Sequence, residues 1–524
     1  SLFLIEYSFE SSFADKSGEN DKAPKVFKKF LLSIKLILTQ FNKNVEARDF
    51  CYLFYIFLWK TFSLIQNNYT DDFFEVNPIN GFLPKKSPLE KLPSVYKELQ
   101  KLIDEMPIKK PDGSDGYLSI KGAIEKAVEN LPNYENEVAS ENDILIIQAL
   151  FRAYAFVASA YLLAPAHFNF IETKKYGKAH NILPSQIAIP FVIVSQKLDV
   201  YPFIDYHYAY SLGNYVKIDK TKGYEWENLA MAAKFSGMDD ERGFIMLHVD
   251  INQHSPELVG SIFDFLKSQD EKDVNDSLRK CLSSMKKINE RRQIMWQASR
   301  WKHYNDFRVF IMGIKGNEEI FGEGVIYEGV SEKPQQYRGQ TGAQDNIIPT
   351  ADIFTGVIDY YPSNDLTKYL LDLRSYRPKC IQSFFSDLKD EMKNNLLFNS
   401  LKESKNEEGL CLLVQILDEI YYFRNGHWQF VQKYIMANTK YAKATGGTPI
   451  ISWIPNQITA VINYMNDVLE IISNDSDFID KQNFSDQLNK KSILLDKQLK
   501  LLHGEDYNAD EVFLLNKKMN LNDD

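Results

Sequence analysis

The sequence predicts an all-α protein, and three observations carry that prediction. Apolar residues recur at steps of three and four along most of the 524-residue chain, the spacing of helices with one buried face. Strand signals are few, the best being Val325-Ile326-Tyr327 between Gly324 and Gly329. Apolar residues make up 44% and aromatic residues 13%, enough for large cores, and the length calls for two or three domains.

In chain order, Lys25–Phe41 and Ala47–Leu64 read as an amphipathic hairpin, and the Asn-, Asp-, Pro- and Gly-bearing stretch 66–90 as a linker. Leu92–Met106 and Ile120–Leu131 are predicted helices, separated by the turn-rich Pro111-Asp112-Gly113-Ser114-Asp115-Gly116. Glu141–Ala164 is a strong helix, expected to stop near Pro165. Further helices are predicted over Pro190–Leu198, Asp205–Val216, Trp226–Ser236, Gly243–Ser268, Val274–Arg300 and Tyr304–Ile314. Ile347–Val357, Lys379–Lys393, Leu410–Ala437 and Ile450–Ile472 follow, then a polar helix over about 478–503 and a charged tail.

Bulk properties exclude several classes. A net charge of −10 argues against nucleic acid and anionic membrane as partners. Cys51, Cys281, Cys380 and Cys411 are scattered without a CxxC or CxxCH, which excludes a disulfide scaffold, a zinc ribbon and covalent c-type haem attachment. They fit a reducing cytosol, so a cytoplasmic location is expected. The greasy stretch Phe50–Trp59 is too short for a membrane span and ends at Lys60, and no signal-peptide pattern is read.

The chemistry centres on Leu410–Ala437. Leu413, Leu417, Ile420, Phe423, His427, Phe430, Val431 and Tyr434 fall on one helical stripe, so His427 points where the core points. Taken alone, it reads first as a core histidine satisfied by a carbonyl. Gly426 removes a side chain beside the imidazole and would let a planar group approach. Arg424, one turn earlier, can pair with a carboxylate. A neutral imidazole is a good iron ligand, and a single histidine is a standard way to hold haem b. Further on, Thr445-Gly446-Gly447-Thr448 offers free N–H groups and hydroxyls that can fold over a carboxylate, or is simply a helix-ending turn.

Together these runs resemble the indoleamine 2,3-dioxygenase family. The resemblance is carried by His427-Trp428-Gln429-Phe430-Val431-Gln432-Lys433-Tyr434-Ile435 and the following Ala-Thr-Gly-Gly-Thr turn. Phe74–Pro93, Leu183–Leu198, Phe307–Gly316 with Gly324–Gly329, and Gly339–Gln344 support it in order. It covers roughly residues 73–475. It implies an all-α protein with a helical haem domain over 183–475 and a smaller helical domain over 73–182. Residues 1–72 would be an N-terminal helical extension. Residues 476–524 would be a C-terminal helix and charged tail, docked on the haem domain or on a partner.

The resemblance implies haem b as cofactor, with His427 as the iron ligand. The reaction would insert dioxygen across the indole 2,3-bond of tryptophan or a related indole, by a monomer or weak oligomer. Arg424 would pair with Asp352, Arg308 would bind the substrate carboxylate as a bidentate fork, and Thr341 and Gly342 would lie over the haem edge. Thr445 would bond substrate or propionate, and Phe244, His248, His207, Tyr210 and Ser211 would line the distal pocket.

The departures from the pattern fall on the substrate side. His248 stands where the family has a small Ser or Thr, and lies one helical turn from Phe244. His303 and Tyr304 replace two aromatic positions before Arg308. Gly313-Ile314 replaces Gly-Trp. With His248, His303 and Arg308 as catalytic candidates and Tyr304 as a substrate contact, a haem monooxygenase or peroxidase acting on another aromatic is an alternative. A non-catalytic haem-binding protein is another.

Overall fold

The computed structural model describes residues 67–361, 365–436 and 450–502, which belong to one unit of the chain. The expected hairpin Lys25–Phe41/Ala47–Leu64, the Thr445 turn and the charged tail lie outside the described residues. The fold is all-α, and the sheets among the described residues are two-stranded, of two- and three-residue strands.

The central helix is Ile144–Thr173, apolar nearly all round and buried on most sides. Asp143 opens it by accepting from the Leu145 N–H, and Lys174 closes it in a left-handed conformation. It does not stop at Pro165, and the loop N–H of His180 bonds the Leu162 carbonyl in the turn beside the proline. This helix is long and apolar enough to cross a membrane, but 78% of its most apolar window is buried inside the protein.

Around it the sequence expectations mostly hold as helices, with instructive exceptions. Gly243–Ser268 is two helices, Asp239–Asn252 and Ser255–Lys267, because Pro256 fits only the first turn of a new helix. Asp205–Val216 is a wide π turn over Tyr206–Tyr210 followed by a strand, Tyr215–Lys217. The Asp205 carboxylate holds that turn by accepting from the Tyr208 and Ala209 N–H groups at 3.0 and 2.8 Å. Trp226–Ser236 is a short 3₁₀ turn and the strand Leu229–Met231, which pairs antiparallel with Tyr215–Lys217. The 66–90 stretch is no loose linker: Tyr69–Thr70 and Glu75–Val76 form a ladder, and Phe73, Phe74 and Phe82 are buried. Ile326–Tyr327 is a strand as expected, parallel to Ile182–Leu183.

The helix bearing His427 runs from Glu407 to Phe430 and is capped by Asn406, whose side chain accepts from the Gly409 N–H at 2.7 Å. It packs against Glu271–Gln293 and Ile450–Ile471. The C-terminal helix Lys481–Leu502 docks on this assembly rather than standing free. Trp428 donates its indole N–H to Gln498 at 2.9 Å, and buried Lys491 pairs with Asp418.

Candidate active site

Two adjoining cavities, of about 880 and 1130 Å³, meet at His427, Gly342, Asp345, Phe423 and Ile454. His427 is enclosed by protein, and its remaining accessible surface opens onto these cavities. Neither ring nitrogen bonds another described residue. Burial first, then the neighbouring His248, Arg292 and Arg424, push its pKa down to about 4. The ring is therefore neutral at physiological pH, with a lone pair free to bind iron.

Gly426 acts otherwise than the sequence suggests. A Cβ there would lie 1.7 Å from Arg292 Nη1, so the glycine makes room for a buried guanidinium, not for a flat ligand. Arg292 in turn faces the Phe423 and Phe430 rings at 5.9 and 5.8 Å.

Arg424 does pair with Asp352, Nη2 to Oδ2 at 2.5 Å, and both are buried. Tyr361 bonds both partners, and Gln457 accepts from Arg424 Nη1. Arg374 and Arg377 line the same cavity. Arg377 donates to Asn346 Oδ1 at 2.9 Å and to the Ala343 and Asp345 carbonyls at 3.1 and 2.9 Å. It thereby ties down the loop after Gly342, and burial lowers its pKa to about 9.

The other cavity is aromatic. Phe244, Tyr304, Phe430 and Tyr434 line it, with Phe244 and Tyr304 ring centroids 4.9 Å apart. Thr341 and Gly342 stand at its edge, and Thr341 forms a capping box with Gln344. His248 also lines this cavity. Tyr206 donates to Asp345 Oδ2 at 2.8 Å, so its oxygen accepts from His248 Nδ1 at 3.4 Å and from Asn252 Nδ2 at 3.3 Å. That assigns the His248 proton to Nδ1 and leaves Nε2 as an acceptor.

Several expected site residues are not brought to the cavities. His303 is outside them, a third exposed, with Nδ1 bonded to Asp306 at 3.0 Å. Arg308 is fully buried but absent from the cavity walls; its Nη1 donates to Tyr176 at 3.2 Å. His207 bonds Asn346, Tyr210 donates to Glu241 at 3.2 Å, and Ser211 is buried in the core. Within the π turn over Tyr206–Tyr210 it is Tyr206, rather than His207 or Tyr210, that meets His248. The trio His248, His303 and Arg308 is thus not assembled. Thr445 lies outside the described residues. Tyr206, Asn252, Asp345, Tyr361, Arg374 and Arg377 carry no motif that would single them out in the sequence.

Among the described residues no cluster of three or more His, Cys, Asp or Glu could hold a metal. His427 alone offers one ligand, and haem supplies iron with four more from its own ring. A neutral, unshared imidazole facing a large and mostly apolar space fits that group, so fold and site define a helical haem protein. The family model for indoleamine 2,3-dioxygenase matches residues 70–474, and the chain belongs to that family. It is accordingly a haem-dependent oxidoreductase of the dioxygenase type. It is 24% identical over 376 residues to indoleamine 2,3-dioxygenase 1 of Rattus norvegicus, covering 69% of this chain and 83% of that protein. An indoleamine 2,3-dioxygenase of Aspergillus nanangensis is 24% identical over 418 residues, 72% of this chain and 89% of its own length. A myoglobin of Haliotis madaka is 26% identical over 137 residues, 26% of this chain and 35% of its own.

Proposed function

We propose that this protein holds haem b on His427 and inserts both atoms of dioxygen across the indole 2,3-bond of tryptophan or a related indole. The observation that carries the reading is the neutral His427 ring, without a partner among the described residues, at the junction of a charged and an aromatic cavity. When bound, haem supplies the iron that activates dioxygen.

The chain's own residues do the rest. Phe244, Tyr304, Phe430 and Tyr434 offer flat apolar surface to an indole and exclude water. His248, held by Tyr206, offers Nε2 as acceptor for an indole N–H. The buried Arg424–Asp352 pair fixes the turn before His427 and hence its ring. The decisive experiment supplies reconstituted protein with tryptophan, a reductant and ¹⁸O₂. Product carrying both labelled atoms supports the reading. Product with one labelled atom points to a monooxygenase, and no product from any indole overturns it.

His303→Phe tests the departure from the family pattern. Because His303 lies outside the cavities, the substitution is expected to leave the Soret band and tryptophan turnover within about twofold of the parent, as for surface changes generally. A larger change in either would place His303 in the substrate's path.

A second reading, haem binding without catalysis, is favoured by the likeness to a protein named myoglobin. Reversible dioxygen uptake with no product from tryptophan would select it.

A further inference from the structure

The cavity on the arginine side of His427 holds one more cation than its acids neutralise. Arg374, Arg377 and Arg424 line it, against Asp345 and Asp352. Arg424 takes Asp352. Asp345 is occupied by the Tyr206 hydroxyl, the Asn252 amide and the Ile347 N–H. Arg377 is satisfied by carbonyls and by Asn346.

Arg374 is left over. It ends the helix Asp365–Arg374 and is half-buried, and its guanidinium faces the Phe385 ring at 5.9 Å. No carboxylate of the described residues stands at ion-pair distance from it. Burial lowers its pKa below the usual arginine value, with Asp352 and Tyr361 acting the other way. A guanidinium nevertheless stays charged, and a partly desolvated cation is stabilised by a counter-ion. Its forked donors suit a carboxylate.

We propose that Arg374 is a carboxylate-binding group of this cavity, and that the carboxylate arrives on the bound ligand. The inference rests on the haem reading, under which two ligands carry such a group: haem, through its propionates, and an amino-acid substrate. Its place on the arginine side of His427, away from Phe244 and His248, favours the haem propionate.

The test compares the parent, Arg374→Ala and Arg374→Lys as full-length proteins reconstituted with haem. Haem loss to excess apomyoglobin and the tryptophan-induced Soret shift are measured for each, with the melting midpoint of the haem-free proteins as the folding check. A propionate contact predicts haem loss faster by about tenfold or more in the alanine variant, less in the lysine variant. It also predicts that haem dimethyl ester is lost equally fast from parent and alanine variant. A substrate contact predicts unchanged haem loss and tryptophan affinity weaker by about tenfold. Unchanged haem loss and unchanged tryptophan affinity overturn the proposal, and a lowered melting midpoint alongside them would assign Arg374 to balancing Asp352 instead. A parent protein that takes up no haem would sink the cofactor reading itself, an outcome separate from these.

Discussion

His427→Ala is expected to abolish the Soret band of the purified protein and to prevent its recovery on addition of haem, while leaving the haem-free fold almost as stable as the parent. Both halves follow from the same geometry. The imidazole accepts and donates nothing among the described residues, and its free surface faces cavity, so truncation orphans no partner and opens no hole in a packed core. The unfolding free energy of the haem-free protein should change by about 1 kcal/mol or less. A core histidine satisfied by a carbonyl would behave the opposite way, with a loss of about 1–3 kcal/mol from the abandoned acceptor and no effect on haem. Added imidazole should restore part of the Soret band by filling the vacated volume. A variant that keeps the parent's spectrum would show that iron is held elsewhere, and the haem reading of this cavity would fall.

The direction of His427 was legible because a long amphipathic helix repeats faithfully, and one stripe from Leu413 to Tyr434 fixes which way each residue points. The same reasoning failed where the backbone leaves the regular pitch. Tyr206–Tyr210 has helical composition, yet the buried carboxylate of Asp205 winds it as a π turn, and the residue facing His248 is Tyr206 rather than His207 or Tyr210. The break between Asn252 and Ser255 has a visible signal in Pro256, which the apolar run on either side masks. Arg308 was placed by motif alone, and a motif gives position along the chain but not the rotamer, which here runs to Tyr176. Gly426 signals emptiness in the sequence, but which neighbour fills a gap is a tertiary fact, and Arg292 is separated from it by more than a hundred residues. The cationic wall is hidden in the sequence for the same reason: Arg374 and Arg377 look like ordinary helix-end and loop residues until the fold sets them beside Arg424.

Asp352→Ala is expected to be among the most destabilising single substitutions in the described fold. Asp352 and Arg424 are 5% and 5% exposed, and the carboxylate is shared with the buried Tyr361 hydroxyl, so its removal strands a guanidinium and a phenol together. Breaking a buried pair from one side costs about 3–5 kcal/mol, far more than the pair contributes relative to a well-packed apolar replacement. Denaturant unfolding of the haem-free protein should show that loss. Asp352→Asn, which keeps the shape and an accepting oxygen, should lose less. The double variant Asp352→Leu with Arg424→Met removes the stranded charge and should recover most of the stability. It should not recover haem affinity if the pair also orients the helix turn that carries His427, three residues after Arg424. An Asp352→Ala protein within about 1 kcal/mol of the parent would mean that the existing bonds of Arg424 to Gln457 and Tyr361 suffice, and that the pair is not what holds this wall in place.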